Sequence, residues 1–440
     1  MRLRYRGALR WLYPGMQVKR WVLLASASMG LIVVALLCAL GIDLVRSLYR
    51  TFPVSGWSRH ALMATLLAVG IGGFGFSLQR LVHSVARGVA PRTQEKPSAL
   101  IYRTRVLGRG PRVVALGGGT GLSTLLRGLK EATSNITAVV TVMDDGGSSG
   151  RLRREIDILP PGDFRNCILA LAEDETRLYR YLQYRFTRPD ELAGHSLGNL
   201  LLAGLEQATG GFDRAVEAMS HMLNIRGRVL PATLTKTHLL ATMEDGRQVE
   251  GESRIAADPR RIQHLALTST PVPPYDLVLE AISEAHLLVL GPGSLFTSMI
   301  PNLLVEKIAP AIEAAAAEKV LIANLMTQPG ETDGFTLFDH LRTLNEYIDL
   351  RCFDLLIVNS ASPDEAFLAK YRDEAAEQVV DDLPDDNPFG LTVVRDDLLG
   401  TAEWVGKVTI KHDPVKLVRA IIRHTRAFSY GSSSGRGATV

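Results

Sequence analysis

The sequence predicts an α/β domain built on a doubly wound parallel sheet, preceded by an N-terminal two-helix transmembrane hairpin. Three observations carry this. Two long uncharged runs stand near the amino terminus. Beyond residue 111, short β-branched runs alternate with helix-length segments, the pattern of a parallel sheet covered on both faces. Several of those runs end in glycine-rich turns, where open α/β sheets bind their ligands. A chain of 440 residues has room for one large domain of this kind plus attachments.

The hairpin comes first. Trp21 to Ile42 is uncharged for 22 positions and is closed by Asp43, long enough to cross about 30 Å of hydrocarbon as a helix. Ala61 to Leu78 adds 18 apolar residues with Gly70, Gly72, Gly73 and Gly75 inside them, and glycine lets membrane helices pack closely. Arg2, Arg4, Arg6, Arg10, Lys19 and Arg20 precede the first run, and more arginines follow the second; the segment between holds only Arg46, Arg50 and Arg59. The positive-inside rule then places both ends in the cytoplasm. A cleaved signal peptide fits poorly, because the first run is too long and no small-residue cleavage site follows it. The predicted organisation is a basic cytoplasmic segment 1–20, a hairpin 21–78, a basic linker 79–110 suited to anionic headgroups, a globular domain 111–428 and a small, polar, disordered tail 429–440. The protein is thus expected in the cell membrane, multi-pass, with its main domain cytoplasmic.

Charge separates the two parts. Residues 1–112 carry 17 lysines and arginines against Asp43 and Glu95, which leaves 32 bases and 44 acids in residues 113–440, a net of −12. An acidic domain argues against general nucleic-acid binding. Cys38, Cys167 and Cys352 have no paired spacing, so neither disulfides nor zinc are expected, in keeping with a reducing compartment.

The globular domain opens with the strand Arg112–Leu116, followed by glycines and a helical pattern from Leu122 to Ala132. Ile136–Met143 is a second strand, and His286–Leu290, Val320–Ala323 and Leu355–Asn359 are further ones. No fixed-period repeat occurs.

The chemistry concentrates at strand ends. Gly117, Gly118, Gly119, Thr120 and Gly121 join a strand to a helix, presenting free N–H groups at a positive helix end that suits a phosphate. The turn is not a Walker loop and lacks the G-x-G-x-x-G spacing. At the next strand end, Asp144 and Asp145 could bind ribose hydroxyls or a Mg²⁺ bridging phosphates. Gly146 to Gly150, with Ser148 and Ser149, let backbone approach the ligand. Arg151, Arg153 and Arg154 offer planar donors, although at least one should instead lie on a solvated helix face beside Glu155 and Asp157. A proline-fixed turn aims Asp163, Arg165 and Asn166. His195, near a helix start, is either an acid–base group or a capping and hydrogen-bonding residue. Gly291, Gly293 and Ser294 repeat the first turn's design, and the loop Gln328–Phe335 adds two acids at a comparable strand end. Acids, bare backbone and guanidinium groups together point to a diphosphate.

The motifs GGGTGLSTLLRGLK, VTVMDDGGSSGRLRRE, PPGDFRNC, GHSLGNL, VLGPGSLFTSMIPNLL and MTQPGETDGF, in that order from about residue 111 to about 425, resemble the YvcK family of gluconeogenesis factors. That family is a branch of the superfamily that includes the CofD 2-phospho-L-lactate transferase. The resemblance implies a Rossmann-like core and a nucleotide sugar as ligand, with UDP-N-acetylglucosamine expected. It also implies a regulatory role in cell shape and wall precursor supply during gluconeogenic growth rather than an established reaction. On this chain the ligand cleft would be lined by Gly117–Gly121, Asp144–Arg151, Asn199 and Gly291–Ser294, with Tyr371 closing from the C-terminal side or packed half-buried on its helix. Wall-synthesis proteins and a second copy of the chain are possible partners. The first 110 residues depart from the family pattern, whose members mostly begin near the first glycine turn. The rival reading is a CofD-type transferase using a nucleotide-linked donor and Mg²⁺; a nicotinamide oxidoreductase ranks last, because it rests on the glycine turn alone.

Overall fold

The uncharged amino-terminal runs wind into helices α1, Lys19–Leu40, and α2, Gly56–Val89. The computed structural model describes residues 19–40, 56–89, 106–188, 191–373, 375–404 and 407–429, and they divide into two compact units, 1–104 and 105–440. In the first unit the helices pack where α2 is thinnest: a methyl group on Gly73 would lie 2.6 Å from Ser28 Oγ, and one on Gly70 would lie 2.7 Å from Ile32 Cγ1. Trp21 meets Phe76 edge-on at 5.9 Å. The outward residues stay apolar, with Leu23, Val69 and Ile71 more than half exposed. Both helices are long and apolar enough to cross a membrane. The second is longer than the sequence suggested: the first eleven residues of the expected linker continue the helix to Val89, because no proline interrupts it before Pro91. Residues 1–18, residues 41–55 of the expected hairpin, residues 90–105 of the expected linker and all but Ser429 of the expected tail lie outside the described residues.

The second unit is organised by one parallel sheet. Its strands are β1 (Val113–Gly117), β2 (Ile136–Val140), β3 (Arg228–Pro231), β7 (Leu287–Leu290), β8 (Glu318–Ile322), β9 (Leu355–Asn359) and β10 (Thr392–Asp396), in the spatial order β10-β9-β8-β7-β1-β2-β3. Between them the chain forms a separate antiparallel sheet of β4 (Leu239–Met243), β5 (Gln248–Glu250) and β6 (Ile262–Leu267), and later the hairpin of β11 (Leu399–Trp404) and β12 (Lys407–His412). The doubly wound reading is borne out. β1 and β2 are buried along their whole length, as helices on both faces require.

Register fixes where a ligand can bind. Leu116 of β1 lies opposite Val139 of β2 on one side and Leu290 of β7 on the other. The chain winds outward from β1 through β2 and β3, then returns to start the other half at β7. The switch point therefore falls between β1 and β7, and a crevice opens beyond their carboxyl ends.

Four helices frame that crevice: α3 (Gly119–Leu129), α4 (Gly147–Ile156), α5 (Gly162–Leu171) and α6 (Leu197–Thr209). A one-turn helix, α7 (Glu252–Ala256), follows β5. α8 (Glu365–Asp373) and the terminal α9 (Pro414–His424) complete the named elements.

Candidate functional site

The two glycine turns meet at the switch point. β1 enters its turn at Gly117, and α3 already begins at Gly119, whose φ of 59° lies in the left-handed region. From the other side β7 leads into Gly291-Pro292-Gly293. A methyl group on Gly121 would lie 2.3 Å from the carbonyl oxygen of Pro292 and 3.1 Å from Gly293 Cα. The turns thus touch backbone to backbone, and only glycine permits it. Asn302, fully buried, ties the junction by donating to Gly117 O at 3.1 Å and Ser298 O at 2.7 Å. Thr120 stands exposed at the mouth.

The Asp144–Gly150 loop carries the chain from β2 into α4. Asp144 accepts from the Gly146 amide at 2.9 Å and bonds Ser149; Ser149 Oγ also accepts from the Gly162 amide at 3.1 Å. Asp163, one residue further on, takes a hydrogen bond from the Gly119 amide. The amino ends of α3, α4 and α5 therefore converge, and their helix dipoles favour negative charge there. Asp145 is turned to another task. Its Oδ1 accepts from Ser253 N at 2.8 Å and Ser253 Oγ at 2.6 Å, anchoring α7 over the loop.

The expected arginines and amides form the wall behind this loop. Arg165, buried, donates to Ser196 Oγ at 2.5 Å, Asn199 Oδ1 at 2.7 Å and Asn166 Oδ1 at 3.0 Å. Asn199 Nδ2 donates to Ser148 Oγ at 3.0 Å, which meets His195 Nδ1 at 2.9 Å. His195 is 1% exposed and hydrogen-bonded to Ser148. Arg151 donates to Ala193 O at 2.6 Å. Arg153 is buried against the carbonyls of Val142 and Thr237, and Arg154 is the exposed one. The guanidinium groups thus stiffen the loop from behind.

The second turn is held by one of the two acids of the Gln328–Phe335 loop. Ser294 caps its own helical turn, with Thr297 donating to its Oγ at 2.6 Å, and donates in turn to Glu331 Oε2. Glu331 is almost fully buried and belongs to the Gln328–Phe335 loop. Glu252, at the start of α7, is the acid that sequence reasoning left out: its Oε2 is buried without a partner. The only signal for it was a short Gly251-Glu252-Ser253 run that reads as an ordinary turn. Tyr371 sits on α8 with its hydroxyl accepting from Ile410 N of β12 at 2.6 Å, so that oxygen is already engaged by the C-terminal hairpin.

The crevice therefore presents backbone amides and carboxyls. Burial, reinforced by Asp144, pushes Asp163 up to about 7. Burial also raises Asp144 and Glu331. Glu252, desolvated and facing Asp144, Asp163 and Glu331, is pushed up to about 9. Among the described residues no three His, Cys, Asp or Glu side chains are grouped to hold a metal ion.

With this geometry in place, comparison with known proteins decides the family. A family model, 2-phospho-L-lactate transferase CofD, matches residues 113–399. The gluconeogenesis factor of Bacillus subtilis is 45% identical over 316 residues, covering 72% of this chain and 98% of that protein. The chain belongs to the gluconeogenesis factor family. A relative in Nostoc sp. is 41% identical over 425 residues, covering 94% of this chain and 92% of its own length, so some family members share most of the amino-terminal part while others consist of the domain alone. A crystal structure of a Bacillus halodurans protein superposes with a TM-score of 0.68 at 46% identity, covering 71% of this chain and all of that one. The family resemblance read from the six motifs is borne out, as is its Rossmann-like core.

Proposed function

We propose that this gluconeogenesis factor binds a nucleotide sugar, UDP-N-acetylglucosamine, in the crevice between the β1 and β7 turns, and acts as a regulator of cell morphogenesis and wall precursor supply when carbon must flow through gluconeogenesis. The observation that carries the reading is the backbone contact of the two glycine turns at the sheet's switch point. There the diphosphate can lie over the amino ends of α3 and α4, where N–H groups and helix dipoles favour negative charge. The carboxyls around it suit sugar hydroxyls. We further propose that α1 and α2 span the cell membrane and hold the domain at its cytoplasmic face, where wall precursors are assembled on lipid.

The match to the 2-phospho-L-lactate transferase model favours a second reading, group transfer from a nucleotide-linked donor with Mg²⁺. Calorimetry of the full chain in detergent with UDP-N-acetylglucosamine, GDP and NAD separates the two. Saturable binding of the UDP sugar without turnover supports the regulator. Preference for GDP, with 2-phospho-L-lactate passed from a guanosine-diphosphate-linked donor to a deazaflavin acceptor and GMP released, supports the transferase and overturns the first reading.

A further inference from the structure

The edge of the sheet opposite the crevice has a chemistry of its own. A cavity of about 1150 Å³ opens there. Its lining comes from residues that lead into the strands: Arg109 before β1, His286 before β7, Lys319 at the start of β8 and Asp354 before β9, with Arg426 beyond α9. α9 lies along the same edge. Its first residue, Pro414, packs on Gly128 at the far end of α3. Just past its last turn, Arg426 N and Ala427 N donate to Glu318 Oε2 at 2.7 and 3.1 Å.

Charge here runs against the rest of the domain. Residues 106–112 hold Arg109 and Arg112 and no acid; residues 414–429 hold Lys416, Arg419, Arg423 and Arg426 and no acid, whereas residues 113–440 as a whole carry a net of −12. Lys416 and Arg423 are paired with Asp397 and Asp396. Arg109, Arg419 and Arg426 are exposed and form no ion pair among the described residues. The two acids of the cavity are already bonded, Glu318 to the amides above and Asp354 to Lys319 N at 2.8 Å. α9 also turns two apolar side chains outward. Val415 and Ile422, 62% and 38% exposed, share the helix face that carries Arg419, while Leu417, Val418 and Ile421 are buried on the other side. Exposed apolar side chains interleaved with arginine on one helix face suit the boundary between water and lipid.

We propose that this edge docks on anionic phospholipid headgroups, with Arg109, Arg419 and Arg426 meeting lipid phosphates while Val415 and Ile422 enter the headgroup layer. This rests on the proposed anchoring by α1 and α2 and deepens it. The chain enters the domain at this edge, through Val106, with only residues 90–105 between it and the end of α2, so a membrane anchor delivers this edge to the bilayer first. The glycine turns, at the carboxyl ends of the strands, then open toward the cytoplasm and its soluble ligands. Each base at an anionic surface strengthens binding about fivefold. Three orient a domain that is already tethered, but a domain without its tether is washed off by salt.

The Bacillus subtilis relative and the Bacillus halodurans crystal structure consist of the domain alone, so residues 106–440 fold without the helices and can be tested directly. Sedimentation with phosphatidylglycerol–phosphatidylcholine vesicles in about 50 mM salt compares this fragment with R109E/R419E/R426E and with R177E/R180E/R188E, an equal charge reversal at three arginines exposed elsewhere. The wild-type fragment and the second variant should bind within about threefold of each other, at least tenfold more weakly to phosphatidylcholine alone, and should be released by about 300 mM salt. R109E/R419E/R426E should lose at least about fiftyfold. A wild-type fragment indifferent to lipid charge, or two variants weakened equally, would overturn the inference, as would retention on duplex DNA without binding to the vesicles. Alkaline extraction of membranes from cells expressing the full chain separates the two claims. A full chain retained in the membrane while the fragment ignores phosphatidylglycerol refutes the docking and leaves the anchor standing; a full chain released by alkali refutes the anchor and the docking that rests on it. Circular dichroism confirms that both variants remain folded.

Discussion

Gly121 shows how much of this site depends on what a residue lacks. A methyl group there would overlap the Pro292 carbonyl oxygen, an atom of the backbone that cannot rotate away. Gly121→Ala should therefore separate the two turns, lowering affinity for the nucleotide sugar at least tenfold and stability by about 1–3 kcal/mol, as overpacking does elsewhere; calorimetry and urea titration read the two effects. Asn199 works by what it supplies. Asn199→Ala strips an acceptor from buried Arg165 and a donor from Ser148, and should cost about 2–3 kcal/mol in the same titration. The acids set the pH response. Asp163 and Glu252 hold protons in the folded state at pH values where the unfolded chain has released them, from about 4 upward. The ligand-free protein should thus lose stability as pH rises from 6 to 9, and E252Q should flatten that decline, its melting temperature pulling ahead of wild type by about 2–4 °C for each kcal/mol relieved.

At the scale of elements, α1 and α2 join at glycines facing Ser28 and Ile32. Gly73→Leu should force the pair apart, and a cysteine crosslinking pair across that contact should lose its efficiency in the variant. The same scale shows what could be read beforehand. β1, β2, β7, β8 and β9 announced themselves as short apolar runs, four of them shifted by a few residues and β9 unshifted, because a doubly covered strand needs little but β-branched and leucine side chains. The sheet's two margins did not. β3 is four residues ending in Pro231, tolerable only at an edge, and β10 has no fully buried position. The β4–β5 hairpin was signalled by Asp245-Gly246, whose glycine has φ 81°, a turn cue that the surrounding charges obscured. α3 starts three residues before the helical pattern because glycines at its amino end carry no periodicity. Glu252 was hidden for a different reason: its place near Asp144, Asp163 and Glu331 comes from packing between loops far apart in sequence.

For the whole molecule, two long apolar helices precede a domain of the gluconeogenesis factor family. Relatives made of the domain alone, such as the Bacillus subtilis protein, indicate that it folds independently, so removal of residues 1–105 should yield a soluble protein with unchanged nucleotide-sugar affinity. Fractionation of cells expressing each form checks this; a truncated protein that still sediments with membranes would contradict the anchoring role. The central claim is narrower, that a diphosphate sits on the paired glycine turns. A crystal structure of the domain grown with UDP-N-acetylglucosamine tests it most directly. The diphosphate is predicted within hydrogen-bond distance of amides in the Gly118–Thr120 and Gly147–Ser149 segments. Ligand density elsewhere on the domain, with both turns left uncontacted, would contradict it.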